Sequence, residues 1–328
     1  MAISEPTQRD RGSDAEPRGL TFRAAVEEDL PECGRIHREA IDDYLRPMGF
    51  PPLPTENQGL LRLHAHTLAT DPARFMVAEH RGRLGRRSIV AFGSAVEREH
   101  VWFLSMLFVD PREQRRGLGR GLLARLLPEA RDDQVLATCT DAAQPISNGL
   151  YASLGIVPRM PLFNLLGRPR AGWVPPPLPD GLTASRVLPE TPDRLGERQV
   201  AELAVLDRTL LGYAHPDDHA YDLRERPWLF AYRGANGDLA GYGYTSEVGR
   251  IGPIAVREPD HLAPLLGHLL TAVEPRGASS VWVPGNADGA FRMTLGAGLR
   301  IEGFPTIACW NRPFADFTRY VPTSPGLI

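Results

Sequence analysis

Hydrophobic and polar positions alternate between two periods along this chain. A short stretch from Gly19 to Ala24 reads as a strand. Glu27-Glu-Asp-Leu-Pro31 then opens a helix through Arg35, Ile36 and Ile41, its acidic start suited to the positive helix end. A second helical pattern covers roughly Glu56 to Leu68, before strand-like runs at Phe75–Glu79, Ser88–Val96 and Val101–Val109. Pro111 stops the last run, and a basic, glycine-interrupted turn leads into an amphipathic helix from Leu118 to Leu127. A strand at Val135–Thr140, a helix from Ile146 to Leu154 and an end strand near Leu162–Leu166 follow.

The same order then returns. Gly181-Leu-Thr183 repeats Gly19-Leu-Thr21 and is followed by a helix near Arg198–Leu210 and by strands at Trp228–Tyr232, Ala240–Ser246 and Gly249–Val256. A helix from Leu262 to Val273, a strand at Ser279–Val283 and a helix at Ala290–Ala297 complete the second copy. The pattern predicts an α/β (α+β) protein of two tandem domains. It places a disordered, charged tail at 1–18, a first domain at 19–167 and a Pro-rich linker at 168–180. A second domain at 181–322 and a tail at 323–328 follow.

The turn at 110–121 carries the chemistry. Gly117, Gly119 and Gly121 allow close backbone approach, and the first-turn N–H groups of the following helix have no partner within it. With Arg115, Arg116 and Arg120 they form an anion cradle suited to a pyrophosphate. A Walker loop is excluded, because no Lys-Ser or Lys-Thr follows these glycines. Gly119-x-Gly121-x-x-Ala124, with Asp141 about 20 residues on, satisfies a dinucleotide fingerprint. Gln114-Arg-Arg-Gly-Leu-Gly119 satisfies a third pattern, Gln/Arg-x-x-Gly-x-Gly/Ala.

That third pattern resembles the acetyl-coenzyme A turn of the GNAT acetyltransferases. Tyr151-Ala-Ser-Leu-Gly155-Ile156 is similar to the Tyr-x-x-x-Gly-Phe signature of the same superfamily, with Ile156 in place of Phe. Context favours this resemblance over the dinucleotide fold, because nearly a hundred residues precede the turn and one strand–helix unit follows it before the proline-rich break. The resemblance implies a mixed, mainly antiparallel sheet flanked by helices in each of two GNAT-like domains. It implies acetyl-CoA as cosubstrate, its arm hydrogen-bonded beside Met106, Leu107, Phe108 and Val109. Its pyrophosphate would lie on Gln114, Arg115, Arg116, Gly117, Leu118, Gly119 and Arg120. A backbone N–H near Phe108 or Val109 would face the developing oxyanion.

On this resemblance Tyr151 is the general acid for the departing thiolate. Glu97, Glu99 and His100, clustered at the entry to the central strand, are the candidates for a base, and water is the alternative. The acceptor wall falls on the loop after the first helix, where Asp42, Tyr44 and Phe50 are the candidate contacts. The function implied is N-acetylation of a primary amine on a small molecule or peptide. A non-catalytic acyl-CoA sensor or scaffold is the alternative, and a dinucleotide oxidoreductase the remote one.

The second copy is expected to be degenerate. Sliding Val109 onto Val256 puts Pro264 where Gly117 stands and Leu266 where Gly119 stands. Proline has no N–H to offer a phosphate, and the leucine fills the space of backbone approach. Aligning Gly155 on Gly298 puts Thr294 at the place of Tyr151.

Composition narrows the partners. A net charge of −3 over 328 residues gives no reason to expect nucleic acid, and the basic residues gather at 112–125, where a phosphate-bearing cofactor needs them. No apolar run approaches a membrane span, so no membrane partner is expected. Three scattered cysteines, Cys33, Cys139 and Cys309, suit a reducing cytoplasm, and no Cys/His spacing predicts a metal. Oligomeric state is left open.

Overall fold

The computed structural model describes residues 19–55, 57–81 and 87–328. The tail expected at 1–18 and the helix start expected at Glu56 lie outside the described residues. The first half begins with β1 (Leu20–Ala24), α1 (Leu30–Leu45) and α2 (Gln58–Thr70). A meander follows of β2 (Phe75–Arg81), β3 (Arg87–Arg98) and β4 (Val101–Val109). Then come α3 (Leu118–Leu126), β5 (Val135–Asp141), α4 (Pro145–Ala152) and β6 (Val157–Gly167). The second half opens with β7 (Thr183–Val187), α5 (Glu197–Leu211) and α6 (Pro216–Glu225). It continues through β8 (Trp228–Arg233), β9 (Leu239–Thr245), β10 (Arg250–Val256), α7 (Leu262–Ala272) and β11 (Ser279–Pro284). It closes with α8 (Asp288–Ala297), β12 (Arg300–Ile301), β13 (Thr306–Trp310) and β14 (Tyr320–Val321).

Helix α3 buries Leu118, Leu122, Leu123 and Leu126 against the sheet, each worth about 1.5–3 kcal/mol of apolar burial. Helix α6 has no apolar period to read. Its buried face is Asp218, His219, Tyr221, Asp222 and Leu223, of which Asp218, His219 and Asp222 are held by hydrogen bonds while Tyr221 and Leu223 join the apolar core.

The sheet is mainly antiparallel and flanked by helices, as expected, but the two halves share it. Its order is β1-β2-β3-β4-β5-β13-β6-β11-β10-β9-β8-β7, with β12 beside β6 and β14 beside β10. Strand β13, late in the second half, lies between β5 and β6, pairing Thr306 with Asp141 at one end and Trp310 with Ala137 at the other. Strand β6 pairs β13 with its first residues and β11 with its last, Leu162 to Gly167. The stretch 19–167 therefore does not complete its own sheet.

The apolar core is also shared. One cluster runs from Ile36 and Phe75 through Leu206, Tyr213 and Tyr221 to Leu327 and Ile328. This corrects the tail expected at 323–328: Leu327 and Ile328 are buried, and the Tyr213 hydroxyl donates to the Ile328 carbonyl at 2.5 Å. Two apolar residues after a turn pack wherever a core face is open, and here it is the seam between the halves. The Pro-rich stretch lies along the second half, with Trp173 packed on its core and Arg168 donating to the Gly277 carbonyl.

Among the described residues no helix is long and apolar enough to cross a membrane.

Candidate active site

Strands β4 and β5 run parallel and in register from Val101↔Val135 to Leu104↔Thr138, and then they part. The cause is a bulge. On the β3 side Ser94 pairs Met106 and Ala95 pairs Leu104, leaving Ser105 as the extra residue, and a bulge turns its strand out of line. The Thr138 hydroxyl donates to the Leu104 carbonyl at 2.8 Å and closes the apex. Beyond it residues 105–109 have no strand partner on the β5 side, and a cavity of about 910 Å³ opens there. That volume is large enough for a long cofactor arm and a small acceptor together.

The basic turn borders this cavity. Asp110 is buried and accepts from the Arg112 backbone N–H at 3.0 Å and its Nη2 at 2.6 Å, which holds the turn and keeps its carboxyl near a pKa of about 2. Arg115 (φ 63°) and Gly117 (φ 80°) take left-handed conformations, and α3 starts without a side-chain cap. The first helical bond is Gly121 N–H to the Gly117 carbonyl, so the N–H groups of Leu118, Gly119 and Arg120 are not used within the helix. A Cβ built on Gly119 meets only Val109, at 3.7 Å; a longer side chain would extend into the cavity that Gly119 lines.

Met106, Leu107, Phe108, Val109, Gln114, Arg115, Gly117, Leu118, Gly119 and Arg120 all line the cavity. Arg116 does not; it is exposed and pairs with Glu113, one helical turn away in sequence, so its expected role in the cradle is corrected. Tyr151 lines the cavity while its ring packs among Trp102, Leu104, Leu123 and Cys309. Burial holds its hydroxyl well above the ordinary phenol pKa, so it carries its proton at neutral pH.

The expected bases are elsewhere. Glu97, Glu99 and His100 sit at the β3–β4 hairpin, about 13–20 Å of strand from Met106, and none of them lines the cavity. Glu97 is paired with Arg74 and Arg131, while Glu99 pairs with Arg208 of α5 at 2.8 Å and accepts from the Ala214 N–H. Their charge ties structure together. Reading the hairpin as the entry to the site placed them at the wrong end of β4.

The acceptor-side expectations divide. Tyr44 lines the cavity and donates to Asp141. Asp42 is buried and accepts from the Leu53 N–H at 2.8 Å, pinning the loop, and Phe50 packs edge-on against Phe304. Neither lines the cavity, because the loop turns their side chains into its own packing.

Other residues line the wall. Among the described residues Asp141 is the only carboxylate on the cavity wall; Thr306 from β13 donates to it at 3.2 Å, and burial raises its pKa. His37 packs on Phe108 at 4.4 Å, and burial lowers its pKa to about 4, so it is neutral. The second half supplies Tyr221, Arg226, Arg250, Trp282 and the strap Thr323–Gly326, with the Ser105 hydroxyl donating to the Gly326 carbonyl at 2.6 Å. Asp141 could have been taken from the sequence, since it ends a strand one turn before the Tyr151 helix. Nothing in the sequence brings Arg226 or Arg250 there.

The corresponding cleft of the second half is filled. The slide that superposes Val109 on Val256 also superposes Leu104 on Ile251, and β10 parts from β11 after Ile251↔Val281. A register shift between Ile251 and Ile254 repeats the bulge. Strand β14 then pairs into the gap, Ile254↔Val321 and Ala255↔Tyr320. Helix α7 begins at Leu262, so Pro264 falls inside its first turn, and Leu266 is buried. The Thr294 hydroxyl donates back to the Ala290 carbonyl at 2.8 Å.

No metal was expected, yet Asp207, His215 and His219 bring one ligand atom each within 4.8 Å of the others. They are the group among the described residues able to hold a divalent ion. They are buried, lie off the cavity wall, and are bonded as a network, His219 Nε2 to Asp207 at 2.9 Å and the Tyr242 hydroxyl to Asp207 at 2.7 Å.

Comparison with known proteins agrees with this geometry. Residues 37–156 match the model described as "Acetyltransferase (GNAT) family". A solved structure described as an acetyltransferase from Pyrococcus horikoshii has TM-score 0.70 and 15% identity, over 98% of this chain and 100% of that one. A GCN5-related N-acetyltransferase from Sphaerobacter thermophilus has TM-score 0.57 and 19% identity, over 92% of this chain and 99% of that one. A GCN5-related glucosamine N-acetyltransferase region of a fungal multi-domain β-N-acetylglucosaminidase has TM-score 0.58 and 14% identity, over 94% of this chain and 39% of that one. At such identities the likeness is one of fold. No curated protein sequence gave a match.

Proposed function

We propose, on the premise that residues 37–156 belong to the acetyltransferase (GNAT) family, that this protein is an acetyl-CoA-dependent N-acetyltransferase acting in the cytoplasm on a primary amine. The observation that carries the reading is one cavity holding both an uncapped helix start and the free edge of a parted strand. Either feature alone is common in proteins. Together they fit a ligand with phosphates at one end and amides along its length.

Acetyl-CoA supplies an activated thioester. The N–H groups of Leu118, Gly119 and Arg120, with the Arg115 and Arg120 side chains, suit its phosphates, and the edge Met106–Val109 suits its arm. The amine attacks the acetyl carbonyl, a C–N bond forms and the C–S bond breaks. Tyr151, held protonated by burial, gives its proton to the sulfur. Asp141, the one carboxylate among the described residues of the cavity wall and one whose pKa is raised by burial, takes the amine proton directly or through water.

The test is calorimetry with acetyl-CoA and with NAD, followed by thiol release across a panel of amines. One acetyl-CoA per chain and amine-dependent thiol release are expected. Tight NAD binding without acetyl-CoA binding overturns the reading, and acetyl-CoA binding without thiol release from any amine makes the protein a sensor.

A further inference from the structure

The acceptor end of the cavity has a charge pattern that the first half does not explain. Arg226 is 3% exposed and lines the wall. Its Nη1 donates to Asp222 at 2.9 Å and its Nη2 to the Thr323 carbonyl at 3.1 Å, while its buried Nε has no partner. Arg250, at the start of β10, lies over the first turn of α2, where a Cβ on Gly59 would meet its Nη2 at 2.7 Å. It is 3.8 Å from Glu225, a carboxylate already held by Arg62. Among the described residues, three guanidinium groups thus face two carboxylates, Asp222 and Glu225, and one positive charge is left at this rim.

We infer that Arg226 and Arg250 form a carboxylate subsite, and that the acceptor is a small amine bearing its own carboxylate: an amino acid. The inference rests on the acetyltransferase reading and names its substrate class. One surplus positive charge matches a carboxylate rather than a phosphate dianion, and it repels a polycationic amine. Position agrees as well. Arg226 holds the strap at Thr323 and Ser105, the bulge residue, holds it at Gly326. Three residues of chain reach at most about 10 Å, so the arginine and the strand bulge lie within the length of an amino acid and its contacts. Tyr221 and Trp282 line the same cavity.

The test compares α- and ω-amino acids with their own amides, and with spermidine, by thiol release from acetyl-CoA. An amino acid should exceed its amide by about 10- to 100-fold in kcat/KM, the scale of a charge-assisted hydrogen bond. Arg250→Ala, a change at a partly exposed side chain, should bring that ratio close to one with acetyl-CoA affinity unchanged. Equal rates on acids and amides, or a preference for spermidine, would overturn the subsite and leave acetyl transfer standing. A second arm needs no catalysis: N-acetylamino acids are titrated into the protein saturated with coenzyme A. Saturable binding that Arg250→Ala removes keeps the subsite even where no amine releases thiol, in which case the transfer reading alone falls. No binding of any N-acetylamino acid at roughly 10 mM, the weakest useful affinity, overturns the subsite.

Discussion

The two clefts of this protein are the same construction left in two conditions. In each, a bulge turns one strand away from its parallel neighbour, after Leu104↔Thr138 in the first half and after Ile251↔Val281 in the second. The first gap faces an uncapped helix start and stays open. The second faces a helix whose start is one turn longer and holds a proline, and β14 of the same chain has entered it. Parting of the strands is therefore a property of the scaffold. On the proposed reading, ligand capacity depends on keeping the gap free and the helix N–H groups exposed.

The sharpest way to break this comparison is to give the first cleft the second one's residue. Gly119→Leu should abolish acetyl-CoA binding in calorimetry, a loss of more than about 10³-fold, because the backbone approach at the cradle is blocked. Wild-type affinity in that variant would end the assignment of the cradle.

Tyr151→Phe comes next in size. Folding and cofactor affinity should hold, while single-turnover transfer falls by roughly 10²–10⁴, the scale for losing a general acid. Unchanged single-turnover chemistry would hand that proton to water. Thr294→Val in the second half should leave the rate untouched, since its hydroxyl is spent on the helix backbone.

A smaller effect tests how the first turn is held. Asp110 has a depressed pKa of about 2, so its contribution to stability is present above its unfolded value near 3.8 and is lost as pH falls through about 2. Asp110→Asn should cost about 1–2 kcal/mol at pH 7, discounted for its exposed partner Arg112. The gap between variant and wild type in urea unfolding should narrow below about pH 4 and close as pH falls through about 2. A gap that persists at low pH would mean that shape, rather than charge, holds the turn.

The smallest expected change is none. Pro264→Gly combined with Leu266→Gly restores the residues of the first cradle, yet calorimetry should still give one acetyl-CoA per chain, because β14 remains in the gap. A stoichiometry near two would show that residue identity alone had closed the second cleft.

The cradle was legible in the sequence because it is local. A strand, a glycine turn and an amphipathic helix within twenty-odd residues fix one another's geometry, and Gln114 to Arg120 fell on the cavity wall except for Arg116. Arg116 was misread because a run of arginines does not say which side chain faces a ligand and which pairs with Glu113. The base was misread because Glu97, Glu99 and His100 are near the cleft only along the strand, and the strand is long. What the sequence could not carry was everything brought in by β13, β14 and the strap, whose placement depends on pairings across more than a hundred residues. Helix α6 was passed over because its buried face is polar, held by partners such as His66 and Arg98 that no periodicity announces.

Strand β13 also sets an order on manufacture. A ribosome that has just added Gly167 has made the whole cradle and the tyrosine beside it, but not the strand that belongs between β5 and β6. Until Thr306–Trp310 emerges, those two strands present unpaired backbone, the kind of edge that recruits strands from other chains. Asp141 meanwhile lacks the hydroxyl of Thr306. A shortened first half would thus expose that edge, which the second half covers with a strand of the same chain.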